Sequence, residues 1–374
     1  MPVKHKFNFY DAAHLVKDYP DAYYYIIIGE RSNGKTYSSL KYALKNYFEK
    51  GEQFAYVRRF GEDIRKKHLG NLFSGHIENG EVSALSHGKW TGIEYTGSRF
   101  LLNRVSDDDT VERCEEPIGF AFDLNSMEHY KSISFPKITT IIFDEFLSRQ
   151  AYLPNEFLLF SNTLSTIIRL RKNVKIFMLG NTVNKYCPYF GEMGLSHIKE
   201  QKQGTIDVYN YSDTGLQVVV EYCASSNKKG GKESDVYFAF DNPQLHMITT
   251  GAWEIAVYPH LPVKYKPKDI CAEFFVEFDG ELLHGEIIST GEGLPFVFLH
   301  EKTSPLKDEV NDFLYCQTPS HLATHHLGFA RYDDSISKFV MQCLRENRIF
   351  YSTNEVGEIF RNYLIWCDNL NIRK

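Results

Sequence analysis

The chain has 374 residues, room for two domains of ordinary size, and its 43% hydrophobic and 24% charged residues are proportions of a globular protein with a sizeable core. A net charge of −6 excludes a protein that clamps nucleic acid through an overall basic excess. Seven scattered cysteines without a CxxC pair exclude a disulfide framework and a zinc ribbon, which fits a reducing, cytoplasmic setting.

The opening MPVKHKFNFYDAAHL is interrupted by charged and polar residues and does not read as a signal peptide. No apolar run approaches the roughly 18 residues that span a bilayer, so a membrane is not expected among the partners. The continuous apolar run YYYIII (23–28) predicts a buried strand, and TYSSLKYALKNYF places Tyr37, Leu40, Leu44, Tyr47 and Phe48 at helical spacing. QFAYVRR (53–59) is a second strand candidate. Residues 60–135 are less regular, with a hairpin-like run at 91–105. ITTIIF (138–143) predicts another buried strand, ending at Asp144-Glu145. A helix follows at 155–168, with Phe157, Phe160, Leu164, Ile167 and Ile168 on one face; VKIFMLGN (174–181) and VVVEYC (218–223) continue the strands. Buried strands alternating with helices argue for a parallel α/β sheet.

The small, polar, basic stretch 224-ASSNKKGGKESD-235 breaks that pattern and reads as a flexible connection, its Lys228, Lys229 and Lys232 candidates for touching a phosphate backbone. Beyond it, EFFVEFDGELLHGEII (273–288) predicts a hairpin around Asp279-Gly280, and 337–350 and 356–370 predict helices. The expected organisation is an α/β domain over 1–223, a linker region over 224–258 and a smaller α+β domain over 259–374.

The segment between the first strand and the first helix, 29-GERSNGKT-36, matches G-x-x-x-x-G-K-S/T at every fixed position. The chemistry needs that order: glycines let backbone N–H groups turn around a β-phosphate, the helix start adds a positive dipole end, and Lys35 reaches the β- and γ-phosphates. Gly29, Glu30, Arg31, Ser32, Asn33, Gly34, Lys35, Thr36 and Tyr37 are therefore the expected nucleotide-binding residues. The Thr36 hydroxyl is placed to ligate Mg²⁺ together with Asp144, a carboxylate at the end of a buried strand. Glu145 directly after it can polarise an attacking water, which favours hydrolysis over transfer to an alcohol. Asn181 at the end of MLGN either senses the γ-phosphate or forms a turn. Arg169 and Arg171 are either an arginine finger for a neighbouring subunit or a solvated helix end. The basic runs 58-RRFGEDIRKK-67, 169-RLRKNVK-175 and 228-KKGGK-232 read, alone, as solvated faces. The adjacent His325 and His326 have no cysteine at ligand spacing and are not expected to bind metal.

Four segments together resemble a known family: IIIGERSNGKTYS, GEQFAYVRRF (51–60), ITTIIFDEF with YLPNEF after it, and IIRLRKNVKIFMLGN followed by CPYF (187–190). Their order and spacing over residues 20–225 are similar to those of the DNA-packaging ATPases of small, tailed, protein-primed phages, the phi29 type. The resemblance implies a P-loop NTPase core of the additional-strand, catalytic-glutamate (ASCE) class, using ATP and Mg²⁺. It also implies a homo-oligomeric ring, a pentamer in that family, acting at the portal of a prohead in the host cytoplasm, with a structural packaging RNA between them. Double-stranded DNA is the implied cargo. Lys35, Thr36, Asp144 and Glu145 match the nucleotide motifs, Arg169 falls on the trans-acting finger, and Lys131 falls where the family has a lysine acting between subunits. The chain departs from the family in a longer insertion before Lys131, including 107-DDDTVERCEE-116, and in a longer C-terminal part. There the wider terminase group has an RNase H-like nuclease; Glu273, Glu277 and Asp279 lie close together but assemble no metal cluster, so a vestigial domain without cleavage is expected. A small-molecule kinase on the same loop is the alternative enzyme, with Glu145 beside Asp144 against it. A nucleotide-regulated scaffold or RNA-binding subunit is the alternative outside catalysis.

Overall fold

A computed structural model describes residues 10–106, 110–126, 133–148, 152–224, 253, 256–261, 263–291, 293–308, 310–329 and 334–372. The chain divides into two compact units, Met1–Trp253 and Glu254–Lys374, with the division inside the stretch expected to be a linker. The linker lysines expected to touch a phosphate backbone, Lys228, Lys229 and Lys232, and the intersubunit Lys131 implied by the resemblance lie outside the described residues.

The first unit carries a ten-stranded sheet built from β1 (Tyr24–Gly29), β2 (Gln53–Arg58), β3 (Gly92–Thr96), β4 (Arg99–Val105), β5 (Val111–Arg113), β6 (Gly119–Asp123), β7 (Ile138–Asp144), β8 (Lys175–Asn181), β9 (Thr205–Tyr211) and β10 (Leu216–Tyr222). The order is β3-β4-β6-β2-β7-β8-β1-β10-β9, with β5 paired to β4. The six strands from β6 to β10 in that order run parallel, and antiparallel strands add to both sides. Strand β8 is inserted between the loop-bearing β1 and the carboxylate-bearing β7, which is the additional-strand order.

Continuous apolar runs form these strands because both faces are covered. On one face Ile26, Ile28, Val57, Ile141, Phe143 and Met178 pack with Phe160, Leu164 and Ile167 of α6 (Glu156–Ile168). Alternate residues Tyr25, Ile27, Phe54, Tyr56, Ile142 and Phe177 point to the other face and pack with Leu40, Ala43 and Leu44 of α2 (Lys35–Lys50). The first of the helices, α1 (Ala13–Asp18), and the short α3 (Lys66–Leu69), α4 (Ser74–Glu78) and α5 (Glu81–Leu85) complete that side of the chain order, and α7 (Pro188–Glu192) follows β8. The described residues of the irregular stretch 60–135 thus resolve into a 3₁₀ turn (Gly61–Ile64), three short α-helices and the strands β3 to β6, antiparallel at the sheet's edge.

In the second unit, β11 (Ile270–Phe278), β12 (Glu281–Ile288), β13 (Phe296–Glu301), β14 (Leu314–Cys316), β15 (His325–Leu327) and β16 (Ile349–Tyr351) form a sheet in the order β15-β14-β11-β12-β13-β16. The predicted hairpin is β11–β12. Its turn residues Asp279 and Gly280 have φ of 53° and 82°, both left-handed as a tight hairpin turn demands. Asp279 therefore leaves the strand face that Glu273 and Glu277 share. The helix expected over 337–350 ends earlier: α8 (Ser335–Arg345) is followed by Asn347 at φ 54°, and Ile349–Tyr351 then pair in parallel with Val297–Leu299. Backbone pairing in the sheet outcompetes the helical spacing of three apolar residues. The last helix is α9 (Asn354–Ile372). Among the described residues no helix is long and apolar enough to cross a membrane.

Candidate active site

The phosphate-type loop leaves the C-terminal end of β1 and enters α2 through Gly34, whose φ of 92° is left-handed and suits glycine. Gly29 is constrained differently: a Cβ there would lie 2.9 Å from Cβ of Cys223 on the strand-end next door. The loop, with Asp144, Glu145, Leu179, Gly180 and Asn181, encloses a cavity of about 270 Å³ that Ser32 to Tyr37 line from one side. Of the expected loop residues, Arg31 is exposed and, with Gly29 and Glu30, lies outside that lining.

Lys35 is buried, and burial pushes its pKa down. Its Nζ donates to the carbonyls of Glu30 (2.6 Å) and Gly29 (3.4 Å), and to Oδ1 of Asn33 (3.1 Å) and Asn181 (3.2 Å). These are weak neutral acceptors that an ammonium exchanges readily for phosphate oxygens. Tyr37 faces the cavity while its ring stacks on His76 at 4.0 Å between centroids. Asn181, paired in register with Gly29, is brought to the loop by β8.

Thr36 Oγ1 donates to Asp144 Oδ2 at 3.0 Å, so the two expected cation ligands meet although they lie 108 residues apart. Asp144 is buried, which raises its pKa, and hydrogen bonds from Tyr56 Oη (2.7 Å) and Thr36 oppose the rise. A hydroxyl and a carboxylate form the hard-oxygen set that Mg²⁺ prefers, and a cation would offset the cost of the buried charge. The residues fit that ion and a nucleotide phosphate.

Glu145 sits at φ 60°, a left-handed conformation that costs a non-glycine residue roughly 1–2 kcal/mol. Three contacts hold it. Its N–H donates to Asp144 Oδ1 (3.0 Å), its carbonyl accepts from Arg59 Nη1 (3.2 Å), and its carboxylate accepts from Arg58 Nη2 (2.5 Å). Arg59 is buried and also donates to the Phe146 carbonyl (2.7 Å) and to Glu156 Oε2 (2.8 Å), with Tyr152 against its guanidinium. Glu156 in turn accepts from Tyr189 Oη (2.9 Å) and the Leu153 N–H (2.7 Å). The backbone after Asp144 is thereby tied to α6 and α7.

Reading 58-RRFGEDIRKK-67 as a solvated face is corrected at its first two residues: Arg58 and Arg59 turn inward because carboxylates and carbonyls await them. Tyr56, Arg58, Arg59 and Glu156 are site residues that sequence reasoning missed. The available signal was a pair of arginines at the carboxyl end of a buried strand, where α/β sites gather. Arg171 is likewise drawn in. Its guanidinium donates to the carbonyls of Phe135, Pro136, Ile138, Ile167 and Ile168, a structural clamp. Arg169 is exposed at the left-handed end of α6, donates to the Ile133 carbonyl (3.0 Å), and does not line the cavity of its own chain.

A family model described as podovirus DNA encapsidation protein (Gp16) matches residues 4–216, more than half of the chain. The chain belongs to this family. The DNA packaging protein of Bacillus phage B103 is 31% identical over 175 residues, which are 45% of this chain and 47% of that protein. The chain thus spans about half the length of the curated relatives it matches. Two solved structures share the fold: the Phi-28 gp11 DNA packaging motor, with a TM-score of 0.51 and 18% identity over 97% of each chain, and the bacteriophage Phi-29 viral genome packaging motor assembly, with a TM-score of 0.51 and 19% identity over 95% of this chain and 96% of that one. Both structures share the fold over nearly the whole chain, which includes the additional-strand core and the further C-terminal unit.

Proposed function

We propose that this member of the Gp16 family is the ATPase of a genome-packaging motor, driving double-stranded DNA into a viral prohead at the expense of ATP. The observation that carries the ATPase reading is the Thr36–Asp144 hydrogen bond beside Glu145, at the rim of a cavity lined by the phosphate-type loop. DNA as the cargo rests on the family and on relatives that are DNA packaging proteins.

Lys35 and the N–H groups of the loop bind and orient the β- and γ-phosphates. Mg²⁺, held by Thr36 and Asp144, would supply positive charge against those phosphates. Glu145 orients the attacking water and takes its proton, once its carboxylate is released from Arg58. Asn181, reaching both Lys35 and the cavity, reports whether the γ-phosphate is present.

Arg169 acts on a neighbouring subunit's nucleotide in a homo-oligomeric ring, a pentamer by the family resemblance. Its exposure and its place outside its own chain's cavity lining support that role, and Leu170 beside it, 98% exposed, is an apolar side chain a neighbour would cover. Lys131 is the second proposed intersubunit residue. Portal, packaging RNA and DNA are the proposed partners, and the second unit serves binding rather than cleavage, because the hairpin turn removes Asp279 from the face of Glu273 and Glu277.

Steady-state ATP hydrolysis with and without long double-stranded DNA tests the proposal. DNA-stimulated turnover that disappears in Glu145→Gln is expected. Turnover indifferent to DNA, with or without proheads, would leave an ATPase of another purpose.

A further inference from the structure

We propose that the second unit binds one divalent transition-metal ion, of the Zn²⁺ type, through His284, Glu286 and His300. His284 and Glu286 are two residues apart on β12 and so project from the same face of the sheet. His300 on β13 is the register partner of His284, which places it on that face as well. One ligating atom from each of the three lies within 4.8 Å of the others. Tetrahedral zinc with ligands at about 2.1 Å needs separations of about 3.4 Å, so small side-chain rotations close the site.

Independent features of the same three residues point to an ion. His284 Nε2 is buried without a hydrogen-bond partner, although its ring is packed against Phe275 and lies 4.6 Å from that of His300. Aromatic packing accounts for the ring positions and leaves that nitrogen unsatisfied. His300 Nδ1 lies 3.2 Å from the carbonyl of Glu301, an outer hydrogen bond that fixes the tautomer and turns Nε2 into the ligand. Tyr265 Oη donates to Glu286, holding the buried carboxylate in place as outer partners of metal ligands do.

The charges facing the cluster favour a cation. Glu273, the register partner of Glu286, brings a second carboxylate 3.8 Å from His284 Nε2, and Lys302 is the opposing positive charge. Two histidines and one carboxylate are a nitrogen–oxygen set suited to Zn²⁺ and leave a fourth position for water. This site shares no residue with the nucleotide cavity and does not depend on the ATPase reading.

The test uses the full chain stripped with EDTA, titrated with Zn²⁺ in competition with a chromophoric chelator. One saturable site per chain is expected, with affinity falling at least tenfold in His300→Gln and further in the His284→Gln/His300→Gln double variant. His300 is half-buried and its replacement leaves the core of the unit alone; unchanged circular dichroism confirms that the variants are folded. Co²⁺ in place of Zn²⁺ should give d–d absorption without a thiolate charge-transfer band. Equal Zn²⁺ affinity in wild type and double variant would overturn the assignment, as would a thiolate band, which would move the ion to cysteines such as the exposed Cys271.

Discussion

Replacing Arg59 by methionine keeps much of the side-chain volume and removes the charge that Glu156 faces. Glu156 is fully buried as a side chain, 2.8 Å from the Arg59 guanidinium. Breaking one partner of a buried ion pair typically costs about 3–5 kcal/mol, because the other charge is stranded. Here Tyr189 and the Leu153 N–H still hydrogen-bond the stranded carboxylate, which places the expected cost near the lower end, about 3 kcal/mol. The measurement is urea unfolding of the full chain read by far-ultraviolet circular dichroism and tryptophan fluorescence. With an m-value of about 3 kcal/mol/M, the midpoint of the transition that includes the first unit should fall by about 1 M. Adding Glu156→Gln should restore most of that loss, since a neutral amide strands no charge, its oxygen accepting from the Leu153 N–H and its NH2 donating to Tyr189 Oη. Activity supplies a separate reading: Arg59 holds the carbonyls of Glu145 and Phe146, so the double variant should retain ATP affinity while kcat falls. A single variant that costs under about 1 kcal/mol, or a double variant no more stable than the single, would refute the buried-pair argument.

Lys35→Ala should abolish ATP binding measured by equilibrium dialysis; unchanged affinity would remove the loop from that role. Arg58→Gln frees a Glu145 carboxylate that is itself 57% exposed, so the pair is worth at most about 1 kcal/mol and DNA-independent turnover should rise about two- to fivefold; a fall in turnover would show that Arg58 assists the reaction. Asp144→Asn should raise thermal stability at pH 7. Burial lifts the folded pKa of Asp144 above the ordinary 3.8, so its favourable contribution is complete below 3.8 and is lost as pH rises through the raised value; the gain should vanish in acid. Arg169→Ala subunits should bind ATP normally yet depress turnover in mixtures with wild type beyond simple dilution, and a linear mixing curve would place the finger elsewhere.

What was legible in the sequence is what depends on local order. The loop 29-GERSNGKT-36 carries its own backbone requirements, and unbroken apolar runs such as ITTIIF and VKIFMLGN announce strands covered on both faces. Asp144 and Asn181 were readable because each ends such a run, at the carboxyl ends of the strands where α/β sheets place their sites. Tertiary structure alone decided which strands lie side by side. The insertion of β8 between β1 and β7 brings Asn181 to Lys35, and the loop after β1 lets Thr36 reach across to Asp144. It also decided the fate of like residues in like settings: Arg171 is consumed by five carbonyls while Arg169 stays exposed, and Arg58 and Arg59 leave the solvent for Glu145 and Glu156. A charged side chain's position depends on partners remote in sequence, so periodicity cannot foretell it. For the same reason His284 and His300, unremarkable in the sequence, become neighbours only when β12 and β13 pair in register.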